Sequence, residues 1–276
     1  MTTHGIGRPE TVRVAVAGVG AVGMAVIEAL DAGIPGCELA AVSMRDTASA
    51  AERLAHLSAP VPVVEVAALE PLADIVVECA PAAIFAAIAE PVLRAGKTVV
   101  ALSAGAILSN EHLVAIAREN GGQIIVPTGA LLGLDAVTAA AEGEIHAVRM
   151  VTRKPPAGLV GAPYLVENGI AIEGAREPIR VFRGTPREAA KGFPANLNVA
   201  VALSLAGIGP DRTTLEIWAD PSVERNCHEI EVEADSARFS MRIENIPSEN
   251  PKTGRITALS VIACLRKLGA PMRVGT

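Results

Sequence analysis

The stretch that most constrains the fold is VAVAGVGAVGMAVIEAL, residues 14–30. It opens as a short apolar run rich in Val and Ala, which reads as a buried strand closed by glycine. It continues with helical periodicity and stops at Gly33. Between strand and helix stand Gly18, Gly20 and Gly23. Glycines at this spacing allow a tight turn, close approach of backbone to a pyrophosphate, and close packing of helix on strand. The helix N-terminus adds unsatisfied N–H groups and the positive end of a dipole. The spacing alone is weak; its position after the first strand and at the opening of the first helix gives it weight. Ala21 and Val22, in the same turn, join the three glycines as candidate cofactor contacts.

The segments that follow extend this unit. CELAAVSM, ADIVVECA, KTVVALSA and QIIVPTGA read as further buried strands, and AAIFAAIAEPVLRAG and NEHLVAIARENGG as helices between them. Strands alternating with helices of this length imply parallel βαβ units. From about residue 145 the pattern changes to half-polar alternating runs, HAVRMVTRK, TTLEIWAD, HEIEVEA and RFSMRIE, antiparallel in style. A helical stretch, PREAAKGFPANLNVAVALSLAG, interrupts them and is broken near Pro194. The expected architecture is a Rossmann-type α/β parallel-sheet domain over 1–130, then an α+β domain over 131–251 with a mostly antiparallel sheet. The last segment, 252–276, is expected to pack back on the first domain as a helix.

Composition bounds the partners. Half of the 276 residues are hydrophobic and only 2% aromatic, so the core must be aliphatic and small-residue. The net charge of −6, with acids and bases intermixed, argues against a nucleic-acid surface. The four cysteines are far apart and in no metal spacing; Cys37, Cys79 and Cys264 read as small buried hydrophobes. With neither a charged-then-apolar leader nor a long apolar run, the expectation is a soluble, cytoplasmic protein with no membrane partner.

The end of the second strand bears on cofactor choice. A carboxylate about 20 residues after the glycines binds the ribose 2′-hydroxyl of NAD. Here that region is AVSMRD: Ser43 and Met44 take the place of the acid, Arg45 follows, and Asp46 comes late. Ser43 with Arg45 favours a 2′-phosphate and so NADP, with dual NAD and NADP use open. The alternative is that Arg45 lies over the adenine. Cys79 and Ala80, closing ADIVVECA, are further candidate cofactor contacts.

One histidine stands out in VERNCHEIEVEAD. His228 shares its parity with Ile230, Val232 and Ala234, while Glu229, Glu231 and Glu233 take the other face. A hairpin centred on Asp235-Ser236 pairs Glu233 with Arg238 and Glu229 with Arg242 on the wet face. On the dry face Val232 meets Phe239, Ile230 meets Met241, and His228 meets Ile243. Charge pairing and packing explain every position except His228. A buried imidazole needs a partner or a ligand. From the pattern alone a satisfied structural histidine is the commoner outcome. Three loops rich in glycine or polar residues shift that balance: PTGALLGLDAV at 127–137, GFPANLNVA, and ENIPSENPKTG at 244–254.

At these motifs the chain resembles the L-aspartate dehydrogenase family, itself related in architecture to homoserine dehydrogenases. The resemblance runs over nearly the whole chain. It is carried by PTGALLGLDA, FPANLNVA, RNCHEIEVE and ENIPSENPKTG in this order; the last departs from a common form of its motif, having Gly254 in place of serine. It implies that His228 is the catalytic residue, that Ala130 and Asn198 contact the dinucleotide, and that Asn198, Lys252 and Thr253 lie near the substrate. It implies NAD(P)-dependent conversion of L-aspartate to iminosuccinate, which hydrolyses to oxaloacetate and ammonia, or the reverse; it also suggests a link to pyridine-nucleotide synthesis. An imidazole titrating at about 6.5 suits proton shuttling. Lys252, Arg153, Lys154 and Lys191 are candidate cations for the substrate carboxylates, and the sequence does not choose among them. Alternation points Cys227 away from the His228 face, against a thiol nucleophile. No metal site is expected; a homodimer is, because an open sheet leaves an edge or face to cover. The competing readings are a homoserine-dehydrogenase-like or dihydrodipicolinate-reductase-like enzyme, and a dinucleotide sensor without turnover.

Overall fold

The computed structural model describes residues 11–194, 197–248 and 254–275. Contacts divide the chain into two units. The first gathers Met1–Ala101, His112–Pro127 and Val261–Val274; the second gathers Leu102–Glu111, Thr128–Ser260 and Gly275–Thr276.

The first unit is built on five parallel strands, β1 (Val12–Ala17), β2 (Cys37–Ser43), β3 (Ile75–Glu78), β4 (Thr98–Ala101) and β5 (Gln123–Ile125). Their order is β2-β1-β3-β4-β5. Val42 also forms an isolated parallel bridge to Val63, so the outermost strand of a doubly wound sheet is reduced to one bridge. Connections leave β1 toward β2 and, after the crossover, toward β3 on the opposite side. That reversal creates a crevice at the carboxyl ends of β1 and β3. β1, β3 and β4 are near-continuously buried, as strands covered on both faces must be. Ala15, Ala17, Ala41 and Ala101 are fully buried, and Phe85, opening the helix Phe85–Arg94, is among the largest fully buried side chains, with Ile27, Ile88 and Leu93. The helix Ile256–Gly269 ends in this unit, where Leu265 is fully buried and its carbonyl lies 3.9 Å from Cys37 Sγ.

The second unit holds β6 (Ile145–Lys154), β7 (Ile179–Gly184), β8 (Thr214–Ala219), β9 (Asn226–Ala234) and β10 (Arg238–Asn245), in the order β10-β9-β6-β8-β7. Three of the four pairings are antiparallel, and β6–β8 is parallel. The β9–β10 hairpin has the expected register: Glu233 opposite Arg238, Val232 opposite Phe239, Ile230 opposite Met241, Glu229 opposite Arg242, His228 opposite Ile243. The helical stretch after β7 is indeed two helices, Pro186–Gly192 and Asn198–Ala206, parted around Pro194. Thr185 opens the first of them with a reciprocal capping box to Glu188.

Two local expectations are corrected, and one strand was not among those expected. PTGALLGLDAV is loop only as far as Gly133; Leu134–Ala141 is helical. β7 goes unmarked by alternation because a bulge between Arg180 and Phe182 leaves Val181 and Phe182 both buried. Cys37 and Cys264 are half-buried, Cys79 is half-buried as a residue with its thiol enclosed, and Cys227 is the buried cysteine.

Candidate functional site

In the first unit the three glycines do three different things. Gly18 has φ +104°, and a Cβ there would lie 2.6 Å from the Cys79 carbonyl oxygen. It is a turn that only glycine makes without strain. A Cβ on Gly23 would sit 1.9 Å from the Gly18 carbonyl oxygen, so helix and strand are as close as backbone allows. A Cβ on Gly20 would meet nothing within 4 Å. Gly20 is the N-cap of the helix Ala21–Asp31, with no side-chain cap and no acid in the first turn. The N–H groups of Ala21, Val22 and Gly23 begin that helix, where intrahelical partners are lacking. An uncapped, positive helix end with open space over its glycine fits a dinucleotide pyrophosphate.

Other predicted residues gather at the same turn. The Gly18 N–H donates to the Ser43 carbonyl at 2.8 Å, tying the loop to the end of β2. The Cys79 N–H donates to the Ala17 carbonyl at 2.8 Å, and the Ala80 N–H donates to Glu78 Oε1 at 3.1 Å. Burial, with the Glu78 carboxylate adjacent, pushes the Cys79 thiol above its ordinary range, so it stays protonated. Arg45 is exposed, two residues beyond β2. Asp46 accepts from the Ala48 N–H at 3.2 Å and caps a short turn. Two contributors went unpredicted. Glu78 is a fully buried carboxylate at the end of β3, signalled only by an acid closing an apolar strand. Arg53 donates from its guanidinium to the Val19 carbonyl inside the glycine loop, and nothing in the sequence marks it.

In the second unit His228 is 2% exposed on the dry face of the mixed sheet. It stands between Thr152 of β6 and Ile243 of β10, and its Nδ1 lies 3.1 Å from Thr152 Oγ1. Thr152 is thus the partner that a buried imidazole requires. Lys154, two residues along β6 and on the same face, is 5% exposed. Burial lowers the Lys154 pKa to about 8. Burial, and secondarily the Lys154 charge, lowers that of His228 to about 3. The imidazole is therefore neutral at working pH and does not titrate at its ordinary value.

Of the other candidate cations, Arg153 lies on the opposite face, 3.2 Å from Asp220 and with its guanidinium 4.8 Å from the Trp218 ring centroid. Lys191 is exposed, and Lys252 and Thr253 lie outside the described residues. The Ala130 carbonyl accepts from Asn245 Nδ2 at 2.9 Å, and the Gly129 N–H donates to Ser260 Oγ at 3.0 Å. Asn198, exposed at the start of its helix, accepts from the Gly105 N–H at 3.0 Å. Asn245, Thr152 and the burial of Lys154 were not foreseen. Cys227, although buried, sits opposite Arg153 and away from His228. Among the described residues no group of three or more His, Cys, Asp or Glu is placed to hold a metal ion, and no helix is long and apolar enough to cross a membrane.

A doubly wound parallel sheet with this glycine turn, followed by a unit carrying buried ionisable side chains, defines the class as NAD(P)-dependent oxidoreductases. Residues 18–127 match the family described as homoserine dehydrogenase, NAD binding domain, and residues 135–268 the family described as aspartate dehydrogenase, C-terminal. The chain is 62% identical over 264 residues to L-aspartate dehydrogenase of Bradyrhizobium diazoefficiens, covering 96% of this chain and 94% of that one. It is 60% identical to L-aspartate dehydrogenase 3 of Bordetella bronchiseptica, covering 97% and 98%. In fold it is similar to the crystal structure of aspartate dehydrogenase from Thermotoga maritima, with a TM-score of 0.74 at 22% identity, covering 96% and 99%. The chain belongs to the L-aspartate dehydrogenase family.

Proposed function

We propose that the protein catalyses NAD(P)-dependent oxidative deamination of L-aspartate to iminosuccinate, or the reverse reductive amination. The observation that carries this reading is His228, a buried imidazole held by Thr152 at the polar end of a mostly apolar sheet face. It lies in a chain 62% identical to an L-aspartate dehydrogenase. Bound NAD(P)⁺ supplies the hydride acceptor. Gly18, Gly20, Ala21, Val22 and Gly23 hold its pyrophosphate, with Cys79, Ala80, Ala130 and Asn198 as further contacts. Ser43 and Arg45 favour acceptance of the 2′-phosphate of NADP. Thr152 fixes Nδ1 of His228, which turns Nε2 to the substrate as a neutral hydrogen-bonding group. Asn198, Lys252 and Thr253 are assigned to substrate, and Lys154 is the described buried lysine on the His228 face.

Dinucleotide binding is assigned to 1–130 with the final helix, and substrate binding and dimerisation to 131–251. The reading includes a cytoplasmic homodimer, which the edge strands β10 and β7 of the mixed sheet support.

The test is nicotinamide absorbance with oxaloacetate, ammonium and NADPH or NADH, comparing wild type with His228→Ala. Cofactor oxidation that requires all components, and falls by orders of magnitude in the variant, is expected. Faster turnover with NADPH, reversed by Arg45→Ala, is the expected sign of a 2′-phosphate site. Absence of turnover in protein shown to bind a dinucleotide removes L-aspartate as the substrate.

A further inference from the structure

The dry face of the mixed sheet is apolar along most of its length and polar at one end. The registers place Val148, Met150, Thr152 and Lys154 of β6 on it, with Leu215, Ile217 and Ala219 of β8 alongside. β9 adds Val232, Ile230 and His228, and β10 adds Phe239, Met241 and Ile243. Thr152, Lys154, His228, Asn226 and Asn245 are its polar members, grouped at the carboxyl end of β6, and all but Asn226 are no more than 5% exposed. Among the described residues Lys154 is the only buried cation. Packing does not call for it: methionine, as at 150, fills a similar volume without desolvating an amine. Two basic groups buried on one face are costly, and ionisable groups perturbed in this way cluster at functional sites.

We propose that Lys154 is a catalytic residue, its amine accepting the proton of the substrate α-ammonium while the His228 imidazole hydrogen-bonds the same reacting nitrogen. The inference rests on the L-aspartate reading above. One N–H bond of the ammonium breaks and a new N–H bond forms on Lys154 Nζ, leaving the substrate a neutral amine. Its lone pair then forms the C=N bond as the Cα–H bond breaks, the electron pair and hydrogen passing to C4 of the oxidised nicotinamide. The products are the iminium and the reduced dinucleotide. In the reverse direction the Lys154 ammonium returns its proton to the new amine.

The ionisable surroundings fit this division of labour. From β9 His228, opposite Thr152, and Asn226 share the Lys154 face; from β8 Ala219 shares it, while Glu216 and Asp220 lie on the other with Arg180 and Arg153. The helix Asn198–Ala206 carries no ionisable side chain. Asp135 is exposed, Glu188 caps its own helix, Arg187 pairs with Asp211 and Glu111, and Tyr164 packs on Phe182 and Phe193. Among the described residues Lys154, lowered to about 8 by burial, is thus the group on this face that changes charge in the working range. His228, lowered to about 3, stays neutral there.

The test combines rate profiles with a direct titration. Initial rates of L-aspartate oxidation are measured from about pH 6 to about pH 10 for wild type, Lys154→Arg and Lys154→Met. The Nζ of Lys154 is titrated by NMR in lysine-labelled wild type. Wild-type kcat/KM is expected to rise through the Lys154 titration. Both variants are expected to lose about 10²- to 10⁴-fold in kcat, arginine included, because a guanidinium keeps the charge but does not release a proton. Lys154→Arg that keeps kcat within about tenfold and raises only KM would make Lys154 a carboxylate anchor and overturn the proposal. A Nζ that titrates at the ordinary lysine value overturns it as well, even where the variants fail to fold. Wild type inert toward L-aspartate, with Nζ titrating near 8, removes the substrate reading alone.

Discussion

The glycine turn of the first unit and the polar end of the dry face in the second solve opposite problems. At the glycine turn the working groups are backbone N–H groups, and side chains are absent so that backbone can approach backbone and ligand. On the dry face the working groups are side chains, and the backbone is spent in a sheet ladder. The first arrangement is costly in conformational freedom, the second in desolvation. One should therefore break when volume is added, and the other when charge or hydrogen bonding is changed.

The largest effect is expected at Gly23. Gly23→Ala puts a methyl 1.9 Å from the Gly18 carbonyl oxygen, and backbone on both sides leaves little room to yield. Overpacking ordinarily costs about 1–3 kcal/mol, and a clash with backbone belongs at or beyond the upper end. Chemical denaturation should show that loss, and dinucleotide titration should show no saturable binding. Gly20→Ala is the control that sharpens the contrast. Its methyl meets only open space, so stability should change by less than about 1 kcal/mol while dinucleotide affinity falls. Equal losses of stability at both positions would mean that the turn is packing alone.

On the dry face the corresponding lever is pH. His228 has its pKa lowered to about 3 in the folded chain, so the unfolded chain takes up this proton first as pH falls. Stability from this group is complete above about pH 6.5 and is lost as pH drops from there toward 3, by up to about 1.4 kcal/mol per pH unit. Lys154, lowered to about 8, gives a second window. The unfolded chain holds that proton up to about pH 10.4, so stability rises with pH between the two values. Urea midpoints across pH should show both slopes. His228→Gln should flatten only the acidic one; Lys154→Met should remove the alkaline one and narrow the acidic one, because the Lys154 charge adds to the lowering of the His228 pKa. An unchanged acidic slope in His228→Gln would place the acid-sensitive group elsewhere.

The two regions were unequally legible. The glycine turn is a local sentence of strand, glycines and helix, and its three roles follow from spacing and position together. The β9–β10 hairpin was readable to the residue because alternation fixes register wherever one face is dry. Thr152 and Lys154 share the parity of Met150 within β6, so their common face was present in the sequence too. What hid it is that lysine is rarely buried, so a pattern reading sends it to water. The histidine was legible as an exception to alternation, but its protonation was not, because that depends on how deeply the sheet is covered. β7 and the helix Leu134–Ala141 escaped for a different reason: a bulge breaks the alternation of one, and a glycine-rich run masks the start of the other.

The smallest effect is expected on the wet face of the same hairpin, where charges lie opposite one another as the register dictates. Arg242 reaches Glu229 at 3.7 Å and its own-strand neighbour Glu244 at 2.8 Å, with its side chain 59% exposed. Exposed pairs gain little Coulomb energy in water and lose side-chain entropy, so they contribute about 0–1 kcal/mol. Arg242→Gln should lower stability by less than about 1 kcal/mol, with the difference shrinking further as salt is raised. Its kcat should match wild type, because Arg242 points away from the face that holds His228 and Lys154. A large loss of activity in this variant, with stability intact, would show that the wet face is not merely solvated charge. The division of the sheet into a chemical face and a solvated one would then fail at its simplest point.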